Sequence, residues 1–250
     1  MKTQIHILHT NDFHNHLTDS QASFIADTKN GLRDVLLLDS GDAVGAGNVG
    51  VKPMGEPILV RMSETGYDAM TMGNREFHVA ETLLKHKIGR AQFPILCANI
   101  RWNIDQGDGL PVQPFIIKGT STGVRVGVIG VTVPMVTPRM AARVVSAFVF
   151  DDAVETMKRL IPQVKPQVDM LIALTHIGIR EDERLAAACP ELDLIIGGHT
   201  HVVLNEPQIV NTVPIVQAGW YGRYLGHITA DFDDGVLLRD SIHGKLIPLR

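Results

Sequence analysis

Cysteine is scarce in this chain of 250 residues, which holds only Cys97 and Cys189. Cys97 lies in the apolar stretch Phe93-Pro94-Ile95-Leu96-Cys97-Ala98 and reads as a buried thiol. The opening Met1-Lys2-Thr3-Gln4 has no charged region followed by an apolar one, so no secretory leader is visible. Together these point to a reducing, cytoplasmic setting. A dominant charge is also lacking: 23 basic against 27 acidic residues leave a net charge of −4. That balance excludes the basic footprint of a protein that binds a nucleic acid polymer or an acidic membrane surface. A small anionic substrate stays open, because a bound metal ion outweighs a weak global field. No apolar run approaches the roughly 18 residues that cross a bilayer. The most apolar stretch, 124–133, is ended by Pro134. Repeats, low-complexity tracts and long linkers are absent, so residues 1–250 are expected to form a single domain.

A hydrophobic content of 45% is ample for a packed core. Apolar runs predict strands over 4–9, 35–39, 69–72, 94–98, 170–175 and 194–196. Helices are expected over 20–28, 57–63, 76–86, 153–161 and 181–188, with Pro57 starting the second and Pro162 stopping the fourth. Residues 115–131 read as a hairpin turning at 119–123. The tail reads as antiparallel strands over 213–217, 224–232 and 236–246, with a turn at Asp233-Asp234-Gly235. Parallel and antiparallel units mix. The expected fold is therefore α/β, with two facing mixed sheets and helices outside.

Short polar clusters stand where the apolar strands run out. They are Asp12-Phe13-His14, Gly41-Asp42, Gly73-Asn74, His176 and Gly198-His199-Thr200-His201. In open α/β sheets, ligand-binding groups gather beyond the carboxyl ends of strands. Carboxylate, amide oxygen and imidazole form the donor set of a divalent-metal site. The seven candidates, Asp12, His14, Asp42, Asn74, His176, His199 and His201, are too many for one four-coordinate ion. They suit two ions if one carboxylate bridges.

This ordered pattern resembles the calcineurin-like metallophosphoesterases, and within them the catalytic domain of the 5'-nucleotidases. That family's blocks run D-x-H, GD, GNHE, H and GHxH in the same order. Ile7-Leu8-His9-Thr10-Asn11-Asp12-Phe13-His14 is similar to the opening block almost letter for letter. The resemblance implies a four-layer α/β/β/α sandwich and a dinuclear centre. Asp12, His14, Asp42 and His201 would hold one ion, and Asp42, Asn74, His176 and His199 the other, with Asp42 bridging. The donor set suits Mn, Fe, Zn, Co or Ni about equally. The implied activity is hydrolysis of a small phosphomonoester by a metal-bridging hydroxide, in nucleotide catabolism. The alternatives are a phosphodiesterase acting on cyclic or small nucleotides, and a metal-binding scaffold with little turnover. The 5'-nucleotidases carry a C-terminal substrate-binding domain. This chain stops where that domain would begin, so the domain is expected to be absent and selection of the nucleoside loose.

The third block departs from the family. Where the family has GNHEFD, this chain has Gly73-Asn74-Arg75-Glu76-Phe77-His78. The family's histidine contacts the phosphoryl group, and its aspartate orients that histidine. Arg75 and His78 stand in their places. Arginine stays charged and donates no proton, but it clamps phosphoryl oxygens well. Asn74, Arg75 and His78 are therefore the candidate catalytic residues. In the other reading Arg75 turns away, capping a helix or pairing with Glu76 or Asp68. Proton donation would fall to His78, to His16, to a metal-bound water or to no group. His9 reads as a packed or supporting residue, and Arg139 and Arg143 as exposed arginines on a segment able to roof a cleft.

Overall fold

The computed structural model describes residues 2–47, 50–104 and 109–249. The chain begins β1 (Lys2–Thr10), α1 (Asp19–Asn30), β2 (Val35–Asp39), α2 (Pro57–Thr65), β3 (Ala69–Thr71), α3 (Glu81–Ile88), β4 (Ile95–Leu96) and β5 (Ile100–Trp102). The middle holds β6 (Phe115–Gly119), β7 (Arg125–Thr132), β8 (Phe148–Phe150), α4 (Ala153–Val164), β9 (Met170–His176), α5 (Ile179–Ala188) and β10 (Leu194–Ile196). The tail adds β11 (Gln208–Val210), β12 (Val213–Val216), β13 (Tyr224–Asp233), β14 (Val236–Leu237) and β15 (His243–Pro248).

Two mixed sheets face each other. One has the order β14-β13-β1-β2-β3-β4, with β15 on β13, and the other the order β11-β12-β10-β9-β7-β6. Side chains alternate between faces along each strand, which explains why the central strands are apolar throughout. Ile5 and Ile7 of β1 and Leu36 and Leu38 of β2 meet Ile172 and Leu174 of β9 between the sheets. Leu8 and Leu37 point the other way and pack with Ile25, Ile58, Met62 and Leu84 of α1–α3. Ile129, Ala173 and Ile195 face outward from the second sheet onto Met157, Ile161 and Leu185 of α4 and α5. The result is the expected four-layer α/β/β/α sandwich.

Local chemistry sets the element ends. Thr18 and Gln21 form a reciprocal capping box at the start of α1, and Asp152 caps α4 through Glu155 N–H. Asp234 and Gly235, at φ 47° and 81°, make the two-residue hairpin joining β13 to β14.

Three expectations change. The helix predicted from 76 begins only at Glu81, because the buried Glu76 carboxylate accepts the backbone N–H groups of Asp42, Val44 and Gly73, holding the preceding residues in a turn. Pro162 does not stop α4, which continues to Val164. The proline falls in the last turn, and buried Ile161 and Val164 hold the helix against the sheet. The tail strands divide between sheets: β12 joins the second sheet, parallel to β10, while β13 pairs antiparallel with β1 in the first. A 3₁₀ turn at Arg239–Ser241 separates β14 from β15.

Candidate metal centre

All five polar clusters lie at the carboxyl ends of strands, as the topology requires. Asp12 and His14 follow β1, Asp42 follows β2, Asn74 follows β3, His176 ends β9, and His199 and His201 follow β10. Five of these residues have left-handed backbones: Asp12 at φ 54°, His14 at 46°, Asp42 at 55°, His199 at 75° and His201 at 58°. Non-glycine residues avoid that region, and such conformations concentrate where a site needs side chains aimed at one point. The same bends let His199 and His201, two apart in sequence, reach different partners.

Two groups of ligand atoms emerge, Asp12 with His14 and His201, and Asp12 with Asp42 and His176, the atoms of each lying within 4.8 Å of one another. In the first, His201 Nε2 and His14 Nε2 are 3.2 and 3.6 Å from Asp12 Oδ1 and 3.0 Å from each other. In the second, His176 Nε2 is 3.4 Å from Asp42 Oδ1. Close to that group, His199 Nδ1 meets Asn74 Oδ1 at 3.1 Å, and the His199 ring stands edge-on to His176. Asp12 serves both groups. Asp42 belongs to the second group, and its charge acts on His14 of the first as well as on His176.

These residues fit metal ions. Asp12 Oδ2 accepts from Asn11 Nδ2 at 2.8 Å and from His199 N–H at 2.9 Å. Its Oδ1 is buried without a hydrogen-bond partner, although two imidazole nitrogens are close. His176 donates Nδ1–H to the Ser40 carbonyl at 2.6 Å, which fixes the tautomer and turns Nε2 toward the cluster. That Nε2 is also buried without a hydrogen-bond partner, so its approach to Asp42 is electrostatic. Metal bonds of about 2.0–2.2 Å to nitrogen and oxygen put neighbouring donors roughly 3–3.5 Å apart. The observed separations match.

The electrostatics point the same way. Burial lowers the His14 pKa to about 4 against the opposing Asp42 charge, and burial also lowers that of His199. Both are therefore neutral donors near pH 7. Burial would lower His176 too, but the Asp42 and Asp12 charges and the Ser40 carbonyl raise it to about 9. Two buried carboxylates thus favour positive charge at this point of the cluster. Glu76, buried beside Asp42, is pushed up to about 7.

Arg75 pairs with neither Glu76 nor Asp68. Its backbone N–H donates to Asp42 Oδ1 at 2.8 Å, Nη1 donates to the Gly45 carbonyl at 3.1 Å, and Nε lies 3.6 Å from Asp42 Oδ2. Asp68 instead bonds Lys29 Nζ and Leu37 N–H. His78 sits beneath this turn, with Nδ1 accepting from Ala80 N–H at 2.9 Å. Burial and the nearby Lys87 charge lower its pKa. His9 is fully buried on β1, against Gly226. Arg139 and Arg143 are exposed.

Several supporting residues escaped sequence reasoning. Ser40 orients His176, far from it in sequence, and Asn11 orients its neighbour Asp12 while anchored to the distant Ala218 and Gly219. Trp220 and Tyr221, on the loop after β12, stack on His201 and stand edge-on to His14. The available signal was an aromatic pair between Gly219 and Gly222, directly after a strand.

The chain matches the Calcineurin-like phosphoesterase family over residues 5–203 and belongs to it. That span contains every ligand cluster, and the family is one of phosphoester hydrolases. A snake venom 5'-nucleotidase from Crotalus adamanteus is 32% identical over 284 residues, covering 95% of this chain and 47% of its own length. The trifunctional nucleotide phosphoesterase protein YfkN of Bacillus subtilis is 29% identical, over 97% of this chain and 19% of its own length. The chain spans about half, or less, of the length of these curated relatives. In fold it is similar to the 5'-nucleotidase precursor of Thermus thermophilus, with a TM-score of 0.82 at 23% identity over 99% of this chain and 55% of that one.

Proposed function

We propose that this chain hydrolyses a small phosphomonoester at two divalent ions held by Asp12, His14, Asp42, Asn74, His176, His199 and His201. The observation that carries this reading is the Asp12 carboxylate. One oxygen is tied by two N–H donors, and the other, without a hydrogen-bond partner, is directed at His14 and His201. When bound, the ions would neutralise phosphoryl oxygens and lower the pKa of water. The nitrogen and oxygen donors suit Mn, Fe, Zn, Co or Ni.

The chain's own residues divide the remaining work. Asp12 and Asp42 supply the negative charge that gathers the cations. Ser40 and Asn11 hold His176 and Asp12 in ligating orientation. Arg75, half-exposed beside Asp42, provides a permanent positive charge for the phosphoryl oxygens, and Asn74 stands next to it. Arg75 offers no proton. We assign His78 a supporting place under the turn that carries both. A cytoplasmic setting belongs to the same reading and rests on two free, buried thiols.

The absence of a histidine at position 75 favours a second reading, a metal-binding scaffold with little turnover. Assays of metal-loaded protein on p-nitrophenyl phosphate and bis-p-nitrophenyl phosphate separate the cases. Turnover of the first supports a monoesterase, and turnover of the second alone indicates a diesterase. No turnover of either, with metals bound, favours the scaffold.

A further inference from the structure

The loop between β12 and β13 carries two adjacent aromatic rings to the rim of the metal centre. They are differently employed. Trp220 stacks on His201, with centroids 5.7 Å apart and planes 19° apart, and takes the Arg223 guanidinium 3.9 Å from its own centroid. Tyr221 is 44% exposed. Its ring is edge-on to His14 at 5.5 Å and lies 4.4 Å from the exposed imidazole of His16, tilted by 36°. Tyr221 and His16 thus form an open pair of rings directly beside a buried candidate ligand.

The position of Tyr221 is imposed by its backbone. Its φ is 59°, a conformation that costs free energy for a bulky residue. Its N–H donates to the Asp12 carbonyl at 2.9 Å. Asn11 holds the same loop from both sides, donating to the Gly219 carbonyl and accepting from Ala218 N–H. The segment that aims Asp12 therefore also fixes Tyr221. A ring held this firmly, yet left open to solvent, is suited to stacking on a planar ligand group.

We propose that Tyr221 and His16 form a stacking subsite for a planar ring in the substrate's leaving group. The chain then prefers phosphoesters of ring-bearing alcohols to ring-free ones. The inference rests on the phosphoesterase reading and departs from the expectation that the nucleoside side is chosen loosely. Stacking tolerates different rings, so the preference is for planarity and not for one base.

The test compares adenosine 5'-monophosphate with ribose 5-phosphate, which share the phosphoester and sugar and differ by the base. The metal-loaded chain is expected to favour the first in kcat/KM by about 5- to 150-fold, mainly through KM, the range for one base stacked on an aromatic side chain. Tyr221→Ala should bring that ratio close to one, and Tyr221→Phe should preserve it. His16→Ala, an exposed loop substitution, should lower the ratio in the same direction and serves if Tyr221→Ala does not fold. Equilibrium dialysis with adenosine provides a readout without turnover, in which the parent chain should bind more tightly than the variants. A parent ratio near one would overturn the subsite while leaving the phosphoesterase reading intact. So would variants that lower both esters alike, since Tyr221 would then act only by supporting Asp12. If neither ester is hydrolysed, the phosphoesterase reading falls and the dialysis decides. Equal binding by parent and variants, or none, then overturns the subsite as well.

Discussion

Arg75 and Asp42 are joined through both backbone and side chain: the Arg75 N–H donates to Asp42 Oδ1 at 2.8 Å, and its guanidinium Nε stands 3.6 Å from Oδ2. The first contact does not depend on the arginine side chain, and the second does. Any residue but proline at position 75 can therefore help to hold Asp42, while only a cation there adds positive charge to the opening of the site.

Arg75→Ala should consequently leave metal content intact and lower turnover. Loss of one electrostatic donor costs about 2–4 kcal/mol in the transition state, or ~30–1,000-fold in rate. Arg75→His should raise activity most on esters with poor leaving groups, since only those need a proton. It should change p-nitrophenyl phosphate turnover little. Steady-state rates of parent and variants on both ester types, with metal analysis of each, check this. Unchanged turnover in Arg75→Ala would make the arginine structural.

Gly73→Ala should disrupt the centre from beneath. A Cβ there would meet Asp42 N and Oδ1, each at 2.3 Å, and Glu76 Oε2 at 2.8 Å. None of these can yield without giving up the turn. We expect a loss on the order of 1–3 kcal/mol, as for other overpacked sites, and weakened metal binding. Urea denaturation and metal titration measure the two effects. Parent-like values in both would show that Asp42 is not held by this contact.

His9 gives the protein a distinct acid response. It is fully buried, and burial lowers its pKa to about 3, against 6.5 in the unfolded chain. As pH falls below 6.5 the unfolded chain takes up a proton that the folded chain refuses. Stability is therefore lost progressively between pH 6.5 and 3, by up to about 1.4 kcal/mol per unit from this group. His9→Gln should flatten that slope in unfolding free energies measured from pH 7 to pH 4. Parallel slopes in parent and variant would contradict the assignment.

The central layers were legible because burial on both faces leaves a local signature: the short apolar runs around Leu36-Leu37-Leu38 and Leu171-Ile172-Ala173, bounded by polar and turn residues, suit interior strands. The ligand clusters were legible for a related reason, since each sits directly after such a run. What escaped depends on partners far away in sequence. The apolar spacing after Glu76 suits a helix, yet its carboxylate is committed to N–H groups 32 and 34 residues earlier. The 213–216 strand carries no mark of the sheet it joins, because its pairing with β10 is set only when both sheets form. Tyr221 gave no signal of approaching His14, because the turn that brings it there is held by Asn11 and Asp12, more than 200 residues before it.

The most direct test of the account is the number of metal ions bound per chain. After loading with manganese and removal of excess, elemental analysis should approach two equivalents in the parent. Asp42→Asn should lose most of both, because the proposed centre uses Asp42 as the carboxylate shared by the two ions. Saturation at one equivalent under excess metal would contradict the dinuclear centre, and no stoichiometric binding would remove the metal centre on which the proposed function rests.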